Sequence, residues 1–322
     1  MEDKEKMKKE TDWLEKIHNL NLDRSAKNMI LMASRKLKTS HLFVRDLYYL
    51  LEYNEDENIV WHYTKMGVLE KILTPDNIKI RFTHSKFTND PSECLILKEI
   101  YKDKKDDILN MLKENAIKEA LNEQNTNKNE FDCYMFSTTY LKNSFTFWSK
   151  EYAGKDGIAI GLKKDLLKNE LISMENIANS FYTVMEDVLY VNSLDVKRNT
   201  LNTIVQFLEA SYKICSSIEN LNFLDVFWSM FPPLFKHNAW KGEKELRFIL
   251  YNTETKNEIE FYENKIIRCH YEYFEDKNII SSIMLAPACN DEDVKAVEKY
   301  LKDSGYNIPV ERSRAFDLQD KQ

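Results

Sequence analysis

The sequence predicts an α+β fold, with mixed or antiparallel sheets packed against helices and an all-helical segment in front. Three observations predict it. After residue 59, strand-like runs are interrupted by helices on no regular schedule, whereas a doubly wound fold would alternate strictly. Before residue 56 only helical spacing is present. And 322 residues that are 43% hydrophobic and 12% aromatic supply the core of one large domain or two ordinary ones.

The front segment places Trp13, Leu14, Ile17 and Leu20 at helical spacing, then Met29, Ile30, Met32 and Leu37 onward to Leu50 and Leu51, with Asp23 capping the second helix. The polar, acidic run 52–58 reads as a hinge. It divides the chain into a helical segment 1–56 and an α+β domain 57–322. That domain opens with a strand over 59–63, a helix over 68–73 and a strand over 78–82 whose apolar positions alternate. Two helices fit 94–102 and 108–121, and the Asn- and Lys-rich stretch 122–130 reads as a surface loop. Strands are expected over 133–137, 157–162, 188–191, 246–251, 259–262 and 279–286, with helices over 144–153 and 196–218. A helix over 291–301 and a strand over 308–310 close the chain. No internal repeat or low-complexity tract is visible.

Lys and Arg total 46 against 53 Asp and Glu, a net charge of −7. This argues against nucleic-acid binding through bulk charge, because neutralising phosphates needs clustered cations, and leaves only a local basic groove. Glycine is scarce, with 6 in the chain, and no Gly-rich turn opens a helix, so neither a dinucleotide fingerprint nor a P-loop is present. The five cysteines, Cys94, Cys133, Cys215, Cys269 and Cys289, form no CxxC pair. No disulfide framework and no metal site are expected, and a reducing, cytoplasmic setting fits. The charged N-terminus lacks the apolar stretch of a signal peptide, and no run is long and apolar enough to span a membrane, so no membrane partner is expected.

Three stretches are richer than a core requires. In Trp61-His62-Tyr63-Thr64 a strand turns His62 to one face and Trp61 and Tyr63 to the other; His62 is then an ordinary bonded histidine or a group facing a cleft. In the second, Trp148 and Tyr152 lie four residues apart, which on a helix stacks both rings on one face, either as core or as a clamp for a flat ring. In the third, Glu243, Glu245 and Arg247 alternate, so a strand would point all three the same way opposite Leu246 and Phe248. They are then a solvated ion-paired face or a pair of carboxylates at a cleft edge. Asn89-Asp90-Pro91 with Glu93 reads as a helix start.

Taken in order, Trp61-His62-Tyr63-Thr64, Phe87-Thr88-Asn89-Asp90-Pro91-Ser92-Glu93, Phe136-Ser137, Trp148, Tyr152-Ala153, Gly157, and Trp240 with Glu243-Lys244-Glu245-Leu246-Arg247 resemble the signatures of a bacterial family called domain of unknown function 2971, from about residue 59 onward. The name carries no activity. A weaker resemblance, to the ADP-ribosyltransferases, implies a split-sheet core and an NAD-consuming enzyme, transferase or NAD glycohydrolase, in the setting of a toxin or an anti-phage defence effector. It implies Glu245 as the catalytic glutamate, Glu243 as the acceptor-side acid, and a cofactor-binding set of His62, Tyr63, Trp148, Tyr152 and Arg247. Trp148, Tyr152 and Tyr140 all stay open as the ring that stacks on nicotinamide. The chain lacks a Ser-Thr-Ser run, which matches the His-Tyr-Glu branch, while its Glu-x-Glu pair belongs to the Arg-Ser-Glu branch. The implied partners are NAD and a macromolecular acceptor, protein or nucleic acid; Arg24, Lys27, Arg35, Lys36, Lys38 and Arg45 offer a nucleic acid a contact face or form a solvated helix surface. The alternative is a catalytically silent protein-interaction module of a stress or defence system.

Overall fold

The computed structural model describes residues 58–88, 90, 92–123, 133–150, 152–178, 182–192, 195–215, 223–251, 258–262 and 265–314. The expected helical segment 1–56, with its candidate cations, lies outside these. So do Asn89, Pro91 and most of the expected loop 122–130.

In chain order the strands are β1 (Ile59–Lys65), β2 (Ile78–His84), β3 (Cys133–Thr139), β4 (Gly157–Lys163), β5 (Tyr182–Asp187), β6 (Leu189–Val191), β7 (Phe235–His237), β8 (Glu245–Tyr251), β9 (Glu258–Tyr262), β10 (Lys265–Phe274), β11 (Ile280–Leu285) and β12 (Val310–Arg312). The helices are α1 (Leu69–Ile72), α2 (Ile96–Met111), α3 (Asn115–Glu123), α4 (Lys164–Ala178), α5 (Arg198–Cys215), α6 (Phe223–Met230) and α7 (Asp291–Asp303). The fold is α+β with a mixed, largely antiparallel open sheet. Among the described residues no helix is long and apolar enough to cross a membrane.

The chain divides into two compact units. One, residues 90–132 and 189–238, is mostly helical: α2, α3, α5 and α6 with the short parallel pair β6 and β7. Its core is aromatic, with Phe207 against Phe231 at 4.3 Å and Tyr101 edge-on to Trp228 at 5.3 Å. Burial of Tyr101 pushes its phenol up to about 12. Two helices were expected over 94–102 and 108–121. α2 covers the first and breaks at Lys104, whose backbone is not helical, then resumes only as far as Met111; Leu112 turns extended, and α3 takes up the rest. Asp90 does not cap a helix directly: its Oδ1 accepts from Ser92 N at 2.9 Å and Ser92 Oγ at 2.6 Å, closing the turn ahead of α2.

The other unit, residues 58–89, 133–188 and 239–314, holds a ten-stranded sheet. Every pairing in it is antiparallel except β11 with β12. β4 is buried along nearly its whole length between β1 and β11, and its sequence GIAIGLK is accordingly apolar on both faces. Gly161 is demanded by packing: a Cβ there would stand 2.5 Å from Ser281 Oγ and 3.0 Å from the Trp61 ring. In β2, IKIRFTH, the inward Ile78, Ile80, Phe82 and His84 are buried and Lys79, Arg81 and Thr83 are not. α7 starts at a full capping box, Asn290 with Asp293. Sequence periodicity did not reveal α4, α6, β5, β7 or β10. The helix expected over 144–153 is a short 3-10 turn, Phe145–Trp148, followed by turns.

Candidate functional site

One edge of β3 pairs with β8 along its whole length, from Cys133 opposite Tyr251 to Thr139 opposite Glu245. Its other edge serves two strands. β2 pairs at Met135 and Tyr134, opposite Thr83 and His84, and β1 pairs at Thr139, opposite Trp61. The sheet therefore forks along β3: β1, β4, β11 and β12 leave on one side, and β2, β10 and β9 on the other. Among the described residues no strand pairs with this edge of β3 between the two pairings. His62 fills that gap, its Nδ1 donating to the Ser137 carbonyl at 3.1 Å.

That bond fixes the His62 tautomer with its proton on Nδ1, so Nε2 is an acceptor. The ring leans on Phe136 at 4.7 Å, and Phe136 packs on Phe82 and Phe248. Burial lowers the His62 pKa to about 4; the carbonyl bond opposes the shift and the nearby Arg81 charge adds to it. His62 is thus neutral at pH 7.

Glu245 and Arg247 share one face of β8 as the alternation requires, but they are buried rather than solvated. Arg247 Nε and Nη2 donate to Glu245 Oε1 and Oε2 at 2.7 and 3.1 Å, and Nη1 reaches Met135 Sδ at 3.9 Å. Glu243 does not belong to this row. β8 begins at Glu245, and Lys244 has φ +43, so Glu243 ends the preceding 3-10 segment Asn238–Glu243. Buried there, it accepts a short hydrogen bond from the Tyr152 hydroxyl, while Thr139 Oγ1 donates to its backbone carbonyl at 2.5 Å.

The other two candidates hold the structure around the site. Tyr63 donates to the carbonyls of Leu141 and Lys142 at 2.9 and 2.7 Å, accepts from Ser144 N, and stacks on Phe147 at 4.7 Å. Burial pushes its phenol up to about 12. Trp148 is 3% exposed and donates from Nε1 to Asn143 Oδ1 at 3.1 Å, so it and Tyr152 do not share a helix face.

The sheet thus brings together three motif stretches far apart in sequence. Trp61 stands opposite Thr139, and Thr139 opposite Glu245, on three adjacent strands. It does not set His62 beside Glu245: strand alternation turns Glu245 to the face of Trp61 and Thr139, and His62 to the face of Phe136. Sequence reasoning missed Thr139 and the Tyr152–Glu243 bond, which no local pattern encodes. It also missed Arg81, whose outward place was readable from the alternation of β2. Among the described residues no group of three or more His, Cys, Asp or Glu is placed to hold a metal ion.

No curated protein and no solved structure matches this chain. Residues 147–248, from the turn of Trp148 through Tyr152 to Glu243, Glu245 and Arg247, match the model of the family described as protein of unknown function (DUF2971). That match supports the family the motif order points to, and through this segment the chain carries the DUF2971 signature.

Proposed function

We propose that the chain consumes NAD at the fork of the sheet, as an ADP-ribosyltransferase-like enzyme or an NAD glycohydrolase. One observation carries the reading: the motif strands β1, β3 and β8 meet where the sheet divides, with two buried carboxylates, Glu243 and Glu245, at that end. In the reaction the bond between ribose C1′ and the nicotinamide nitrogen breaks, and its electron pair leaves with neutral nicotinamide. The ribose left behind is an oxocarbenium-like cation. A fixed carboxylate stabilises that cation more than it stabilises neutral ground-state ribose. Arg247 holds Glu245 in place through both carboxylate oxygens, and Tyr152 orients Glu243. Water or an acceptor hydroxyl, amine or base nitrogen then bonds to C1′ and gives up its proton to the Glu243 carboxylate, which passes it to solvent.

A second reading, a silent interaction module, is favoured by the buried Glu245–Arg247 pair, since both carboxylate oxygens already meet the guanidinium. Purified full-length chain incubated with NAD and followed for free nicotinamide separates the two. Release, together with a thermal shift on adding NAD, supports the enzyme. An unchanged NAD pool and an unshifted melting curve leave the module.

A further inference from the structure

The stretch Trp240-Lys241-Gly242-Glu243-Lys244 carries more than its carboxylate. It belongs to the 3-10 segment Asn238–Glu243, and Lys244 N donates to the Lys241 carbonyl at 3.3 Å, which extends the same repeat by one position. With three residues per turn, side chains three apart eclipse. Trp240 therefore shares a face with Glu243, one turn away, and Lys241 shares the next face with Lys244. Trp240 keeps 38% of its surface open, although burial would reward an indole turned inward. Lys241 and Lys244 are exposed, and neither ammonium pairs with an acid among the described residues. On the third face, a Cβ added to Gly242 would meet nothing within 4 Å.

The segment is also pinned. Thr139 Oγ1 donates to the Glu243 carbonyl at 2.5 Å, and Tyr140 N donates to the Lys244 carbonyl at 3.4 Å. Lys244 sits at φ +43, a conformation that glycine holds at less cost than lysine. A charged side chain kept at a strained position calls for a use of that side chain.

We infer that this segment clasps a nucleoside diphosphate, with the base on the exposed Trp240 indole and the two phosphates on Lys241 and Lys244. Each part of the ligand meets the chemistry it needs. The two lysines are about 6 Å apart along the segment, one 3-10 turn, so their flexible stems can bring both ammonium groups to adjacent phosphates. Bases of any sequence stack on an aromatic ring. The Glu243 carboxylate repels phosphate, so the diphosphate takes the lysine face and leaves Glu243 to the sugar. Use of the clasp for the adenosine diphosphate half of NAD rests on the NAD reading above; binding of a nucleoside diphosphate does not.

The test is isothermal titration calorimetry of the full-length chain with ADP, which has no nicotinamide to lose. Saturable binding is expected, with adenosine and inorganic pyrophosphate each binding more weakly, because each meets only part of the clasp. Trp240→Ala is expected to weaken ADP binding on the order of tenfold, while Trp240→Phe, which keeps a ring, retains it. Lys241→Ala and Lys244→Asn are each expected to weaken it about tenfold; asparagine tolerates the conformation of Lys244 and removes only the charge. NAD is expected to displace ADP. No saturable binding of ADP, pyrophosphate binding as tight as that of ADP, or affinity unchanged in folded Trp240→Ala and Lys241→Ala overturns the inference, and ADP that NAD fails to displace overturns its assignment to the dinucleotide. ADP binding without nicotinamide release leaves the clasp and removes the enzyme; release without ADP binding does the reverse.

Discussion

Arg247 holds both carboxylate oxygens of Glu245, at 2.7 and 3.1 Å, with the two side chains 1% and 4% exposed. Residues two apart on one strand share a face, so the pairing follows from the Glu-x-Arg spacing. Its burial follows from the position of β8, between β3 and β5. Such a pair stabilises little against an apolar substitute, yet breaking it strands a charge in the core.

Arg247→Met is therefore expected to destabilise the fold by about 3–5 kcal/mol, because Glu245 is left buried without its cation. The double variant Glu245→Met with Arg247→Met is expected to lose less than Arg247→Met alone. Urea unfolding of both proteins checks the order, and a double variant weaker than the single would contradict it.

His62 gives the protein an acid sensitivity of known sign. Its folded pKa, about 4, lies below the ordinary 6.5, so between those values the unfolded chain binds the proton and the folded chain does not. Stability from this group is complete above pH 6.5 and is lost as pH falls toward 4. His62→Asn keeps a donor for the Ser137 carbonyl but cannot titrate. Between pH 7.5 and 4.5 the wild type is expected to lose about 2–3 kcal/mol more than this variant. Equal losses in urea titrations at the two pH values would show that His62 protonates freely when folded.

Lys244 occupies the left-handed region, with φ +43, and this turn sets Glu243 apart from the β8 row. Lys244→Val is expected to cost about 1–3 kcal/mol, since a β-branched residue resists that conformation. Lys244→Gly is expected to fall within about 1 kcal/mol of wild type, because relief of strain and the greater freedom of the unfolded chain oppose each other. Thermal melts of the two variants separate these outcomes.

The Tyr63 hydroxyl ties residues 141–144 to β1. Tyr63→Phe keeps the stack on Phe147 but leaves these polar groups short of a partner, at a cost of about 1–3 kcal/mol. Hydrogen exchange is expected to quicken around 141–148 while β4 stays protected. Uniform quickening across the sheet would contradict a local anchor.

These elements also show where sequence reading succeeds and stops. β2 was legible because Ile78, Ile80 and Phe82 alternate with Lys79 and Arg81. β10 was not, because buried His270 and Glu272 sit where apolar residues announce a strand. The four-residue spacing of Trp148 and Tyr152 suggested a helix. The chain instead makes one 3-10 turn and bends through Gly154 at φ +83, and tertiary bonds to Asn143 and Glu243 hold the rings. The Glu245–Arg247 alternation was readable, but its burial was not, since burial depends on β3 and β5, the latter about 60 residues away. The fork itself is a property of three pairings to β3, and no local window contains them.

The central claim is tested most directly by nicotinamide release from NAD by wild type, Glu243→Gln and Glu245→Gln, each first shown to be folded by circular dichroism. Release by the wild type that falls about a hundredfold or more in at least one variant is the expected result. No release by the folded wild type, or release that both variants retain in full, would contradict it.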